Sequence, residues 1–332
     1  MNYKDSKEIL ELIKKSKRIL LTLHSSPDPD SAGASLALYD VLKKLGKEDT
    51  EVVCFDKVPS YMILTKKSPI KEVFDISKFD FSKFDLYIAL DTQQLALLTS
   101  TREKVKLPSK LKVIVIDHHI TNPKYGNINL VDGEKSSTSE IIYDLFQDWE
   151  VSISKNIASN ILLGIIGDTG GFRYPGTTVR TFEIVTQLIK RGAQKDEIIF
   201  KQYSNNEFGT LKYWGLVLRK MKIDKKHKFV YFAIPYEEFQ KYANYGAGAS
   251  HGIDVFTNSV VGTDFGIAIT GKKKGWLSVN LRSRTGFDVS KIAVALGIGG
   301  GGHRYAAGAK MKSPFKEGVE KVLRVAREMS NA

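Results

Sequence analysis

Potential metal ligands are concentrated in the segment HSSPDPDSAG, residues 24–33. His24, Asp28 and Asp30 lie here between an apolar run and the start of a helix. Pro-Asp-Pro-Asp is also a common turn, and Asp30 or Ser31 could cap the helix that follows. The segment therefore indicates a metal site only if further ligands from elsewhere in the chain come close to it.

Three later segments also end in side chains that bind metals. They are ALD with Asp91, IDHH with Asp117, His118 and His119, and GDTGG with Asp168. An aspartate after a strand is often only a helix cap, and GDTGG alone is typical of a turn. Two adjacent histidines beside an acid are harder to explain by structure alone. Because all four segments fall at the ends of predicted elements, a shared site is the better interpretation.

The elements that must position these residues alternate between strands and helices. Short apolar runs predict buried strands at 18–24, 51–55, 86–91, 112–119 and 128–131. Helical patterns lie between or after them, for example over 31–45 and over 138–149, where Ser137 opens the helix in the segment SSTSE and Glu140 completes a capping box. This alternation predicts an α/β fold with a mainly parallel sheet flanked by helices. In such a sheet, the loops after the strands gather at one edge, so the distant ligands meet in one cleft.

The pattern changes after about residue 200. Two apolar strands, 265–271 and 276–283, are joined by a lysine-rich turn and predict a hairpin instead of a crossover. A helix, a glycine-rich segment and a terminal helix follow. We therefore expect a smaller α+β domain with its own sheet. The predicted division is a catalytic domain at 1–195, a helical linker at 196–215 and a second domain at 216–332.

Composition limits the class of protein. The chain has 332 residues, a formal net charge of +13 and one cysteine, Cys54, in an apolar run that predicts a buried strand thiol. It has no signal-peptide pattern and no apolar run long enough to cross a membrane, so we expect a soluble cytoplasmic protein. The positive charge favours an anionic partner such as nucleic acid, although most lysines fit solvated helix faces and turns equally well.

The ligand types favour particular metals. Carboxylates and imidazoles without thiolates suit Mn²⁺ or Mg²⁺ better than structural zinc. Several acids carry more negative charge than one divalent ion offsets, which favours two ions that share a bridging carboxylate. Two such ions are the usual arrangement for hydrolysis of a phosphoester.

The ordered motifs HSSPDPDSAGAS, ALDT, IDHH and GDTGGF resemble those of the DHH phosphoesterase superfamily. GGGGHRYAAG, residues 299–308, resembles the signature of the DHH-associated C-terminal domain. In size and layout the chain is most similar to the stand-alone bacterial oligoribonuclease (nanoRNase) type, which also hydrolyses 3′-phosphoadenosine 5′-phosphate. The resemblance implies Mn²⁺ dependence, with Mg²⁺ or Co²⁺ as substitutes, and hydrolysis of RNA fragments of about two to five nucleotides.

The resemblance also implies roles for the residues of the first domain. One ion would be held by His24, Asp28 and Asp91. The other would be held by Asp30, Asp91, His118 and Asp168, with Asp91 as the bridge between the ions. His119 would face the scissile phosphate as a hydrogen-bond donor or acid. Asp117 would orient a ligand histidine.

A glycine-rich segment in the second domain has more than one interpretation. GIGGGG, residues 297–302, formally matches a dinucleotide-binding fingerprint, but it follows a helix instead of a strand and lies too near the C-terminus. The same residues are also typical of a helix end that runs into a loop. With the family resemblance, we expect a substrate phosphate to be bound by Arg282, Gly300, Gly301, Gly302 and His303.

Two alternative functions stay open at this point. One is a stand-alone phosphodiesterase of cyclic or linear dinucleotides, of the c-di-AMP or pApA type. The other belongs to a different class, a nucleic-acid-binding module without catalysis. RecJ-type exonucleases are normally longer, and pyrophosphatases with DHH-like motifs lack the GGGH element. The oligomeric state also stays open, with a homodimer as one option.

Overall fold

A computed structural model describes residues 2–65, 68–99, 105–243, 257, 259–297, 300–302 and 304–330. The chain forms two compact units, Met1–Asn205 and Asn206–Ala332. Each unit has its own six-stranded sheet. The two-sheet α/β architecture predicted from the sequence is therefore confirmed.

The described part of the first unit contains six α-helices and six strands. The helices are α1 (Ser6–Lys15), α2 (Pro29–Lys44), α3 (Thr138–Asp148), α4 (Lys155–Asp168), α5 (Val179–Lys190) and α6 (Lys195–Ile199). The strands are β1 (Ile19–Leu23), β2 (Thr50–Cys54), β3 (Ile70–Glu72), β4 (Leu86–Leu90), β5 (Lys112–Asp117) and β6 (Ile128–Val131).

The first sheet has the strand order β3-β2-β1-β4-β5-β6, and every neighbouring pair is parallel. The order reverses between β1 and β4, which makes the ends of these two strands the switch point where ligands bind in open α/β sheets. Cys54 is buried in β2 as predicted, and burial raises the pKa of its thiol to about 11. That thiol is therefore unreactive at neutral pH.

The two faces of the first sheet are covered differently. Leu21 and Ile88 pack among the helices, whereas Leu20 and Tyr87 face the opposite side. There, phenylalanine side chains from the segment 55–84 form a compact aromatic cluster, with ring centroids 4.9 Å apart for Phe79 and Phe81. Both faces are thus buried, as the continuous apolar runs of a parallel sheet require.

Helices α2 and α4 approach one another closely through glycines. A Cβ on Gly33 would lie 2.4 Å from the carbonyl oxygen of Asn160, and a Cβ on Gly167 would lie 2.5 Å from Cβ of Pro29. Larger side chains at these positions would force the helices apart. The glycines therefore allow the last turn of α4 to lie against the first turn of α2.

The second unit contains helices α7 (Phe208–Lys220), α8 (Tyr236–Phe239), α9 (Val289–Leu296) and α10 (Phe315–Ser330). Its strands are β7 (Lys222–Asp224), β8 (Phe229–Ile234), β9 (Phe265–Lys273), β10 (Trp276–Ser283), β11 (Gly301–Gly302) and β12 (Ala306–Lys312). The sheet order is β11-β12-β10-β9-β8-β7, with only the β8–β9 pair parallel among these strands. The predicted hairpin is the antiparallel pair β9–β10. In the part of the chain that is described, no helix combines the length and apolar character needed to cross a membrane.

Candidate metal centre

The candidate ligands lie at the carboxyl ends of three neighbouring strands. His24 follows β1, Asp91 follows β4, and Asp117 ends β5, with His118 and His119 after it. Asp91 has a left-handed backbone conformation, with φ of 51°, and its N–H donates to the carbonyl of Ile116 at 3.0 Å. This turn places the Asp91 carboxylate between His24, which follows β1, and His118, which follows β5.

A first group of possible ligands consists of His24, Asp28 and Asp91. Nε2 of His24 lies 3.3 Å from Oδ2 of Asp28 and 3.6 Å from Oδ2 of Asp91. Asp28 also caps α2, because its Oδ1 accepts the N–H of Ser31 at 2.9 Å. The cap of this helix is thus Asp28 and not Asp30 or Ser31 as predicted, and the same side chain offers a ligand atom.

A second group consists of Asp30, His118 and Asp168. Nε2 of His118 lies 3.0 Å from Oδ2 of Asp168 and 3.6 Å from Oδ1 of Asp91. His118 and Asp91 also form a third group with His119. The two oxygens of Asp91 therefore point in different directions, Oδ2 toward His24 and Oδ1 toward His118.

Helix α3 holds two of the acids in place. The backbone N–H groups of Thr138 and Ser139 donate to the two oxygens of Asp30 at 2.6 and 2.9 Å. The hydroxyl of Thr138 donates to Oδ1 of Asp91 at 3.2 Å. Unpaired N–H groups and the helix dipole favour a carboxylate at this helix end. Sequence reasoning recognised SSTSE only as a helix start and missed this function of Thr138 and Ser139.

The pair of His119 and Asp117 departs from the expected arrangement. Oδ1 of Asp117 lies 2.6 Å from Nδ1 of His119, while Nδ1 of His118 lies 3.4 Å from the carbonyl oxygen of Lys135. Asp117 thus contacts His119 and not the histidine expected to be a ligand. The reason is local: the backbone N–H of His119 also donates to Oδ1 of Asp117, at 3.1 Å, in a tight turn.

The electrostatics of the cluster favour a bound cation. Burial, together with the carboxylates of Asp91 and Asp168, raises the pKa of Asp30 well above its usual value. Burial acts to lower the pKa of His24, but the carboxylates of Asp28 and Asp91 outweigh it and raise that pKa well above normal. Buried acids that repel one another are stabilised by positive charge. The donor set of carboxylates and imidazoles therefore fits divalent metal ions, in agreement with the prediction at this coarser level.

The residues expected to bind a phosphate lie in the second unit. Arg282 on β10 pairs with Ala306, and Gly302 on β11 pairs with Ala307, so Arg282 and Gly302 lie on either side of β12. His303 lies outside the described residues. The N–H of Gly300 donates to the carbonyl of Gly297 at 2.8 Å.

Two of the three glycines that were predicted to bind a phosphate are also required by the packing of the backbone. A Cβ on Gly300 would lie 1.8 Å from the carbonyl oxygen of Ala293. Gly302 has φ of 135°, and its Cβ would lie 2.5 Å from the carbonyl oxygen of Ala306. The backbone geometry therefore demands glycine here whether or not a phosphate binds.

A parallel sheet whose switch point gathers buried acids and histidines, in a chain with a second sheet domain, fits a metal-dependent phosphoesterase, and family matches and relatives support that class. Residues 18–165 match the DHH family, N-terminal domain, and residues 261–331 match the DHHA1 domain. The chain belongs to the DHH family.

Similar proteins cover almost the whole chain. A bifunctional oligoribonuclease and PAP phosphatase NrnA from Thermus thermophilus is 30% identical, over 93% of this chain and 89% of that protein. The Bacillus subtilis protein of the same name is 25% identical, over 92% of this chain and 93% of its own. The crystal structure of an exopolyphosphatase-related protein from Bacteroides fragilis superposes with a TM-score of 0.87 and 27% identity, covering 97% and 95% of the two chains.

Proposed function

We propose that this protein is a two-metal-ion phosphodiesterase that hydrolyses short oligoribonucleotides to mononucleotides and removes the 3′-phosphate of 3′-phosphoadenosine 5′-phosphate. The observation that carries the proposal is the position of Asp91, whose two oxygens face two separate groups of possible ligands. The substrates are supported by the names of the Thermus and Bacillus relatives. We place the activity in the cytoplasm, where a lone thiol stays reduced.

The two ions are Mn²⁺ in this proposal, with Mg²⁺ or Co²⁺ as substitutes. His24, Asp28 and Asp91 hold one of them. Asp30, Asp91, His118 and Asp168 hold the other, so that Asp91 is shared. When bound, such ions would stabilise negative charge on the phosphoryl oxygens and lower the pKa of bound water.

His119 serves the substrate and not the metal in this proposal. Its Nδ1 is engaged by Asp117 at 2.6 Å, which leaves the Nε2 edge of the ring on the side opposite Asp117. When the ring carries hydrogens on both nitrogens, Nε2 donates a hydrogen bond to the scissile phosphate or a proton to the leaving oxygen. Arg282, the glycines 300–302 and His303 bind a second phosphate of the substrate.

The experiment that tests this function measures kcat/KM with Mn²⁺ on a series of substrates. The series contains a diribonucleotide, a pentaribonucleotide, an RNA of about 24 nucleotides, 3′-phosphoadenosine 5′-phosphate and cyclic di-AMP. We expect the short RNAs and 3′-phosphoadenosine 5′-phosphate to be the best substrates. Highest activity on cyclic di-AMP would replace this proposal by a signalling phosphodiesterase, and no metal-dependent turnover at all would leave a binding module.

A variant pair tests the phosphate contact of the second unit. Arg282→Ala combined with His303→Ala should raise KM for the diribonucleotide and change turnover of bis-p-nitrophenyl phosphate much less. Arg284→Ala is the matched control, because Arg284 lies two residues further on and its Nη1 donates to the carbonyl of Thr263 at 3.3 Å. Equal losses on both substrates would contradict a phosphate-binding role for Arg282 and His303.

A further inference from the structure

Asn122 is a buried side chain in the turn after β5, with only 6% of its surface exposed. Its Nδ2 donates to Oδ2 of Asp117 at 2.6 Å. Its Oδ1 accepts the N–H of Lys124 at 2.8 Å, where the backbone is left-handed with φ of 60°. Its own N–H donates to the carbonyl of His119 at 3.0 Å. Asn122 is therefore fixed at three points between His119 and Lys124.

The Asp117 carboxylate is fully buried, and both of its oxygens are engaged. Oδ2 accepts from Asn122, while Oδ1 accepts from the backbone N–H and from Nδ1 of His119. An ionised carboxylate only accepts hydrogen bonds, so Nδ1 of His119 carries a hydrogen in this contact. Without Asn122, Oδ2 would lose this donor, and the Asp117 carboxylate would be held by the backbone and ring N–H groups of His119. The ring nitrogen also lies 3.4 Å from Oδ1 of Asp91, so a freed Asp117 carboxylate would no longer fix the ring in one orientation.

We propose that Asn122 is a positioning residue that acts through Asp117 on His119. By holding Oδ2, it keeps Oδ1 directed at His119 and thereby fixes the ring orientation and the Nδ1–H tautomer. The catalytic consequence rests on the proposed function, in which the Nε2 edge of His119 meets the scissile phosphate. The effect on the ring itself does not depend on any activity.

The first test is spectroscopic and needs no substrate. Long-range ¹H–¹⁵N correlation spectra of the histidine rings are recorded at about pH 9 with Mg²⁺ bound, for wild type and Asn122→Ala. His119→Ala identifies the His119 signals among the six histidines. We expect a single Nδ1–H tautomer in wild type and averaged nitrogen shifts in Asn122→Ala. Unchanged His119 shifts in the variant would overturn the proposal.

The second test is kinetic and separates the two hydrogen bonds of Asn122. Asn122→Ser keeps a side-chain oxygen for the Lys124 N–H but is too short to reach Asp117. Both Asn122→Ala and Asn122→Ser should lower kcat on a diribonucleotide about 10- to 100-fold, with KM and Mn²⁺ affinity within about twofold of wild type. In the His119→Ala background, Asn122→Ala should cause no further loss, because both act through one ring.

Asn129→Ala is the matched structural control. Asn129 closes the next turn, where its Oδ1 accepts the N–H of Gly126 and its Nδ2 donates to the carbonyl of Gly126, both at 2.8 Å. This variant should lose stability and keep kcat. Two results would contradict the proposal and leave Asn122 with only a structural role. One is that the losses of kcat add up in the Asn122→Ala, His119→Ala double variant. The other is that kcat falls as much in Asn129→Ala as in Asn122→Ala. If wild type hydrolyses no phosphodiester, the proposed function fails, whereas the spectra still decide the claim about Asn122.

Discussion

Gly164 of α4 leaves the space that the carboxylate of Asp30 occupies. A Cβ at position 164 would lie 2.5 Å from Oδ1 of Asp30 and 2.0 Å from Oγ of Ser139. Glycine inside a helix normally destabilises it relative to alanine. Here the missing side chain lets Asp30 reach the N-terminus of α3, so the site depends on it.

Gly164→Ala should therefore damage the metal site. We expect the free energy of unfolding to fall by about 1–3 kcal/mol from overpacking, and Mn²⁺ affinity to fall at least about tenfold because Asp30 is displaced. Thermal unfolding and calorimetric titration with Mn²⁺ measure these effects. Gly215→Ala in α7, where nothing lies within 4 Å of the added Cβ, is the control and should stabilise slightly. Wild-type Mn²⁺ affinity in Gly164→Ala would show that Asp30 is not needed for binding.

Asp91→Asn should abolish turnover with little change in fold. The substitution preserves size but removes the charge of the carboxylate that faces both His24 and His118. We expect kcat/KM to fall by more than about 10³-fold and the Mn²⁺ stoichiometry measured by calorimetry to drop. Substantial activity with full metal content would show that Asp91 is not the shared ligand.

The two adjacent histidines should respond differently to alanine substitution. His118→Ala should lose bound metal as well as activity, because Nε2 of His118 lies 3.0 Å from Asp168 within a ligand group. His119→Ala should keep near-normal metal content and lose about 10²–10⁴-fold in rate. Metal analysis after gel filtration, paired with kcat, measures both. The same metal loss in both variants would contradict the separate roles.

Acid stability of the second unit should depend on Asp224. Oδ2 of Asp224 accepts from Nε of Arg327 at 2.9 Å, and Oδ1 contacts Nδ1 of His227 at 2.9 Å, which ties β7 to α10. Burial acts to raise the pKa of Asp224, but Arg327 and His227 outweigh it and lower the pKa to about 2. A lowered carboxyl pKa stabilises the fold above pH 4, and this contribution is lost as the pH falls from about 4 to 2.

Asp224→Asn should consequently be less stable than wild type at pH 7, by about 1 kcal/mol after allowance for solvent screening. The difference should shrink as the pH falls and vanish near pH 2. Urea unfolding at a series of pH values, followed by circular dichroism, measures the difference in the free energy of unfolding between wild type and the variant. If this difference is the same from pH 7 to pH 2.5, the ionised carboxylate does not contribute to stability.

The sequence was sufficient to predict the strands of the first unit that lead to the candidate ligands. Their apolar runs are continuous because both faces of a parallel sheet are buried. Four strands were missed, and their signals are weak. β3 (Ile70–Glu72) and β7 (Lys222–Asp224) are short and carry charged residues, β11 is two glycines, and β12 (Ala306–Lys312) alternates small residues that resemble a loop. Strand propensity is low for alanine and glycine, so only pairing with β10 reveals β12.

The residues that form the site could be predicted from the sequence, but the contacts between them could not. Asp117 is the last residue of β5, and His119 lies two residues beyond it, where the alternation of a strand no longer tells which side chains meet. Glu140 is another example: a capping box predicts that its carboxylate binds the N–H of Ser137, but it accepts the hydroxyl of Ser136 at 2.6 Å. Such choices depend on loop geometry that the residue pattern does not encode.

The central position of β1 determines when the ligand cluster can form during synthesis. β1, which precedes His24, is the first strand to be made, yet it lies between β2 and β4. The nascent chain therefore holds only His24, Asp28 and Asp30 until β4 pairs with β1 and brings Asp91. Asp168 is added last, still ahead of Asn206, where the second unit begins. Every candidate ligand has thus been translated before the second unit exists, and metal capture can precede its folding.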